Sequence, residues 1–255
     1  MDEVTVKIIE RPELNNPVMV EGLPGIGLVG KLAADHLLDE LKGKKFAELY
    51  SVFLPPQVVI QEDGTVKLVN NEFYYVRRNG TDIVILTGDF QGITPDSQYK
   101  ISESTLDVAQ QFNVKTIYTL GGLGTGNIVK KPKVYGAATS KEIIKKLKEY
   151  GVIFKGGGGI FGASGLLLGL GQLRGIECAC LMGETHGQII DAKAAEALLE
   201  VLTKILGIEI DMKKLEEKAK MTEREMNEIS KMITSQREAL EREQRISDDI
   251  PSYIR

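Results

Sequence analysis

The chain has only two cysteines and two histidines among 255 residues, and each scarcity removes a class of function. Cys178 and Cys180 are too few for a disulfide framework or a four-ligand zinc site. No HxH, HExxH or clustered cysteines supply metal ligands either, so no metal and no cofactor are expected. Two apart in an apolar, strand-like run, the two cysteines point to one face and read as buried free thiols. With only His36 and His186 available, a Ser/His/Asp triad has to use His186, because His36 falls along an early helix. No apolar run approaches the length needed to span a bilayer. The start, Met1-Asp-Glu, also lacks the basic region and apolar stretch of a signal peptide. The reading is therefore no membrane and a cytoplasmic location. The 32 basic and 36 acidic residues, net −4, read as spread along the chain without a concentrated positive field, so nucleic acid is not an expected partner.

What the chain does have is enough apolar residue, 42%, to bury a sizeable core. Val4 to Glu10 and Pro17 to Glu21 read as strands, followed by a glycine turn and a helix from Leu28 to Leu41. Lys45 to Ile60 and Val66 to Arg78 read as a meander punctuated by Pro55-Pro56 and Asp63-Gly64. Ile83 to Phe90 reads as a central strand buried on both faces, and Thr94 to Ser97 offers caps for a helix reaching Phe112. Strands at 116–120, 152–154 and 178–182 then alternate with glycine loops at 121–126 and 156–165, and with helices at 140–150 and 192–206. The class is α/β, with a mostly parallel central sheet flanked by helices. In such sheets the loops at the carboxyl ends of the strands gather on one edge, so the turns at Gly25, Asp89, Gly121, Gly183 and Gly159 are expected to cluster there.

Two parts are expected: an α/β core over residues 1–208 and a C-terminal helical extension and tail over 209–255. From Asp211 onward there are 11 acids, 10 bases and no glycine. Met212, Leu215, Ala219, Met226, Ile229, Ile233 and Leu240 fall on heptad a and d positions, with Thr222 and Gln236 as polar interruptions. That stripe wants a partner, either a second subunit, with Leu215, Met226, Ile229, Ile233 and Leu240 as the oligomerisation contacts, or a face of its own domain. Pro251 ends the helix and releases Ser252-Tyr-Ile-Arg255 as an extended tail.

The richest motif is Gly22-Leu-Pro-Gly-Ile-Gly-Leu-Val-Gly-Lys31. Gly25, Gly27 and Gly30 fit GxGxxG, and Gly25 to Lys31 fit a P-loop up to position 32, where Leu replaces the hydroxyl that would hold Mg²⁺. Glu48 stands about 20 residues on, where a ribose-binding acid is sought, but in a mid-strand setting. The structural alternative is that these glycines permit positive φ and close packing of helix on strand. Gly124 and Gly126, together with Gly25, Gly27 and Gly30, remain candidate backbone donors to an anion. Ser164 fails as a nucleophile elbow because position 166 is Leu. His186 has Asp89, Glu184 and Asp191 as candidate acid-base neighbours, against the plainer role of a loop histidine bonded to carbonyls.

Gly22 to Gly30, Thr87-Gly-Asp-Phe-Gln91, Tyr118-Thr-Leu-Gly-Gly-Leu-Gly124, Gly162-Ala-Ser-Gly-Leu-Leu-Leu-Gly169 and Met182-Gly-Glu-Thr-His186, in that order, resemble the archaeal members of the proteasome-assembly-chaperone family. The resemblance implies a nucleoside-phosphorylase-like α/β fold and a non-enzymatic homo-oligomer that partners proteasome α subunits. It also implies a docking tail, for which Tyr253, Ile254 and Arg255 are the candidates. Such tails carry tyrosine second from the end, whereas Tyr253 is third, so the docking register departs from the family's. Two rival expectations stand beside it: a phosphorylase-like small-molecule protein using the glycine loops for an anion, and a scaffold complexed with a paralogous chaperone that never meets the proteasome.

Overall fold

A computed structural model describes residues 3–78 and 80–217. The chain runs through β1 (Val4–Ile8) and β2 (Val18–Glu21), makes a 3-10 turn (Ile26–Leu28), and enters α1 (Val29–Leu41). β3 (Lys44–Ser51), β4 (Val58–Ile60), β5 (Val66–Leu68), β6 (Asn71–Val76) and β7 (Ile83–Gly88) follow. The second half is α2 (Pro95–Gln111), β8 (Thr116–Gly124), β9 (Val134–Ala138), α3 (Lys141–Glu149), β10 (Ile153–Phe154), α4 (Ala163–Leu173), β11 (Glu177–Thr185) and α5 (Ala192–Leu206).

Nine strands form one sheet in the order β1-β3-β6-β7-β2-β8-β11-β9-β10, flanked by helices, with β4 and β5 paired as a separate hairpin. The four central strands, β7, β2, β8 and β11, are parallel. β1, β3 and β6 form an antiparallel wing on one side, and β9 enters antiparallel to β11 on the other. Three local readings change. The meander breaks at Pro55-Pro56 and before Asn71, so each half of it yields two strands, one of them only three residues long. Gly121 to Gly124 are not a loop: they extend β8 and pair with Met182 to Thr185. β9 has no strand-like signature in the sequence, since Gly136, Ala137 and Ala138 have low β propensity; its place between β11 and β10 makes it a strand.

The core lies on both faces of the sheet. Ile83 and Ile85 point into one cluster with α1 and α5, while Val84 and Leu86 point into the other with α2 and α4. All six residues of β7 are buried, as its continuous apolar run requires. Cys178 and Cys180 share the second cluster, fully buried. Each buried Leu, Ile or Phe contributes about 1.5–3 kcal/mol against leaving it in water. Helix entry is set by side-chain caps: the Thr94 hydroxyl accepts from the Ser97 N–H (3.2 Å), Ser140 from Ile143 (3.2 Å), and Asp191 from Ala194 (2.9 Å).

α1 sits unusually deep against the sheet. A Cβ at Gly30 would penetrate the Leu120 carbonyl, and one at Gly22 would penetrate the Gly30 carbonyl, so backbone meets backbone with no side chain between. Beside this contact Glu21 ends β2 fully buried. Its carboxyl accepts from the Leu23 N–H (3.1 Å) and the Ser164 hydroxyl (3.1 Å), tying the glycine turn to α4. Burial pushes its pKa up to about 7, and these two donors, with the Leu120 backbone, oppose the rise only in part.

Two outcomes follow for stability. Gly30→Ala must push α1 off β8 and is expected to cost about 1–3 kcal/mol, whereas Gly169→Ala, exposed in α4 with open space at its Cβ, gains up to about 1 kcal/mol. Thermal melts of the two variants should move in opposite directions. Because the Glu21 pKa is raised on folding, its ionisation weakens the fold as pH climbs from about 4.5 to 7, by roughly 3 kcal/mol in full. Glu21→Gln is therefore expected to gain melting temperature relative to the parent at pH 8 and to lose that advantage at pH 4.5; a pH-independent difference would contradict the assignment.

Candidate functional site

The turns at the carboxyl ends of the four parallel strands come together, and the glycine turn lies at their centre. Gln91, beyond β7, braces the cluster: its Nε2 donates to the Pro24 carbonyl (2.6 Å), and its Oε1 accepts from the Ala163 N–H (3.0 Å) and from the Gln98 amide (3.2 Å). From the β11 side, the Asp191 N–H donates to the Gly27 carbonyl (2.9 Å), and the Thr185 hydroxyl donates to the Asp191 carboxylate (2.6 Å). Gly27 takes φ 63°, which lets the chain reverse into α1. A cavity of about 240 Å³ lies between Gly25, Gly27 and Leu28 on one side and Gly187 to Ile190 on the other.

Many backbone donors of this region are already used. The Leu28 N–H donates to Gly25 (3.0 Å), Thr125 to Thr185 (2.8 Å) and Gly126 to His186 (3.2 Å). Gly124 is paired within the sheet, and Gly30 is buried beneath Leu120. Lys31, the residue a P-loop would aim at phosphate, donates instead to both Asp35 oxygens (2.7 and 2.6 Å) and to the Thr87 hydroxyl (3.0 Å). Glu48 is on β3, three strands away from β2, where Lys45 (2.7 Å), Lys7 (3.4 Å) and Tyr50 (3.1 Å) donate to it.

The acid-base candidates are likewise placed in structural roles. Asp191 caps α5, Glu184 accepts the Lys133 N–H (3.3 Å), and Asp89 accepts the Asn70 N–H (3.1 Å). Within the described residues the His186 Nδ1 is buried without a partner, while its carbonyl receives Gly126. On the antiparallel wing, burial would raise the Glu72 carboxyl, but the Tyr74 hydroxyl, Lys45 and Lys67 outweigh it and hold the pKa at about 2. Burial raises both thiols to about 12, which leaves Cys178 and Cys180 protonated and inert. What the edge does present is apolar: Ile26, Ile93, Ile128, Phe161 and Ile190 are all exposed, each on a loop that enters or leaves this cluster. Such an exposed apolar edge suits contact with another surface.

The start of the C-terminal segment is anchored to the core. The His36 ring, on α1 as its sequence position requires, donates through Nε2 to the Asp211 carbonyl (2.7 Å). Ile208 and Leu215 are buried in the α1–α5 cluster, with Ile210 and Met212 packed against it. Met226, Ile229, Ile233, Leu240, Tyr253, Ile254 and Arg255 lie outside the described residues. Reading the sequence alone missed Gln91 and the Lys31–Asp35–Thr87 cluster. The i, i+4 spacing of Lys31 and Asp35 was a usable signal; for Gln91 only its place in the Thr87 to Gln91 block was.

Comparison with known proteins places this geometry. Residues 19–230 match the model of the PAC2 family. An uncharacterised protein of Methanocaldococcus jannaschii is 46% identical over 229 residues, 89% of this chain and 88% of its own. The crystal structure of Pyrococcus furiosus PbaB, described as an archaeal proteasome activator, is 44% identical, covers 90% of this chain and all of its own, and superposes with a TM-score of 0.85. That of Pyrococcus furiosus PbaA, described as an archaeal homologue of proteasome-assembly chaperone, is 30% identical over 96% of this chain and 99% of its own, with a TM-score of 0.77. With a family model matching most of its length and relatives at 46% and 44% identity, this chain belongs to the PAC2 family.

Proposed function

We propose that this chain is a non-enzymatic, homo-oligomeric adaptor that docks on proteasome α subunits through its C-terminal tail and aids their assembly or activation. The observation that carries the reading is the 44% identity and 0.85 TM-score to PbaB, described as a proteasome activator. The pairing of Lys31 with Asp35 and Thr87, away from the glycine turn, supports it. Tyr253 supplies a rigid aromatic anchor, Ile254 an apolar contact, and the terminal carboxylate of Arg255 a charge for a partner lysine. Several such tails on one oligomer act together through effective concentration, so weak single contacts suffice. The heptad positions Met226, Ile229, Ile233 and Leu240 are the proposed contacts between subunits, and Leu215, buried in this chain's own core cluster, leads into them.

Deleting Ser252 to Arg255 is expected to weaken binding to purified proteasome α rings by at least about tenfold, an anchor's worth of free energy, with an unchanged melting temperature. Binding that survives the deletion would refute tail docking. If native mass spectrometry of complexes from the source cell finds only a paralogue and no α subunit, the scaffold reading takes its place. The anion reading rests on the cavity beside Gly25 and Gly27. Heat on titration with phosphate or a nucleoside, abolished by Gly187→Phe, is the result that would favour it.

A further inference from the structure

The charges are not spread evenly. Residues 115–155 hold nine lysines and two glutamates, with no arginine and no aspartate: a net of +7 within a chain whose total is −4. Every one of these lysines is exposed. Among the described residues none of them forms an ion pair, although Lys31, Lys44, Lys45, Lys67 and Lys100 elsewhere all do.

The fold gathers eight of the nine on one edge. Lys130, Lys131 and Lys133 lie on the β8–β9 connection, and Lys155 follows β10 with its ammonium 5.0 Å above the Tyr135 ring. α3 packs on β9 and β10, the last two strands of the sheet. It buries Ile143 and Leu147, so Lys141, Lys145 and Lys148, at i, i+4 and i+7, form a stripe on its opposite side, with Lys146 flanking it. Like charges at these spacings cost the helix a few tenths of a kcal/mol per pair, and among the described residues no carboxylate forms an ion pair with them.

We propose that this lysine edge is a docking surface for an acidic polypeptide segment, distinct from the tail docking and independent of it. Charge complementarity selects an anionic partner, and three features favour protein over nucleic acid. Lysine is used throughout, without the arginine forks that read phosphate and guanine. No aromatic ring in residues 115–155 is exposed for base stacking. Ile128, 64% exposed beside Lys130 and Lys131, offers an apolar contact that a peptide side chain can fill. The lysines supply long-range steering that weakens with salt, and Ile128 supplies short-range fit.

The test uses the full chain and two labelled probes, poly-L-glutamate and a double-stranded DNA of matched charge, read by fluorescence anisotropy at low and high salt. One variant carries Lys130→Ser, Lys131→Ser and Lys133→Ser; another carries Lys141→Ser, Lys145→Ser and Lys148→Ser. A control carries Lys204→Ser, Lys213→Ser and Lys214→Ser, removing the same charge elsewhere. Poly-L-glutamate is expected to bind at low salt, to release at high salt, and to lose at least about tenfold in affinity in both edge variants but less than about twofold in the control. Three results overturn the proposal: no binding of poly-L-glutamate at low salt, equal losses in edge and control variants, or tighter binding of the DNA. Melting curves check that all three variants fold, as expected for exposed substitutions.

Discussion

The architecture depends on the contact of α1 with β8, where the Gly30 and Leu120 backbones touch with no side chain between them. The glycines leave no side chain to hold the helix off the sheet, and the preceding turn is carried in with it. Once Gly30 is seated, Gly22 has to fit beneath the Gly30 carbonyl, and Ile26 is driven against Gly122. Gly122 is thereby held within β8, which explains why a sequence run that resembles a loop is a paired strand. Close packing of this kind transmits any change in one glycine to its neighbours, because interiors at this density have no slack.

The same contact accounts for the polar pattern around it. The turn lies so close to β7, β8 and β11 that the Pro24 and Gly27 carbonyls find partners in Gln91 and Asp191, while the Leu28 N–H closes the turn on Gly25. Glu21 is drawn inside with them and is held between Leu23 and Ser164. A carboxyl there stabilises less than a neutral group would at neutral pH, yet it joins β2, the glycine turn and α4 at one point. Removing either hydrogen-bonding partner would leave the carboxyl buried and short of a donor, the arrangement that costs most.

Much of this was legible in the sequence, and the failures have physical causes. β7 was readable because a continuous β-branched run has few uses other than a buried strand. α2 was readable from the Thr94 cap, and the shared face of Cys178 and Cys180 from strand periodicity. The glycine motif was ambiguous because GxGxxG encodes only room and permissive φ, which phosphate binding and helix seating demand alike. What separates them is where Lys31 and Glu48 point, and that is decided by strand order, which no local pattern specifies. β9 was illegible because its stability comes from β11 and β10 on either side rather than from Gly136, Ala137 and Ala138. The evenness of charge was misread for a simpler reason: the whole-chain total cancels, while the 115–155 segment does not.

The position of the glycine turn bears most directly on activity. In the order β7-β2-β8 the chain crosses from β7 over β2 to reach β8, so the carboxyl end of β2 faces the crevice where open α/β sheets bind their ligands. Here that crevice is bridged by the chain itself. Gln91 spans it from Pro24 to Ala163, and the Ile26 backbone lies across Gly122. Part of the place where such a fold binds its ligands is thus taken up in holding the loops in register, leaving the cavity between Gly25 and Ile190 beside it. Those loops then present Ile26, Ile128, Phe161 and Ile190 outward as apolar contacts. An adaptor needs an exposed edge held by bonds within its own chain, because a preorganised surface loses less entropy on binding. Gln91 and Asp191 supply those bonds and the exposed isoleucines and Phe161 that edge, which is consistent with the adaptor proposed above.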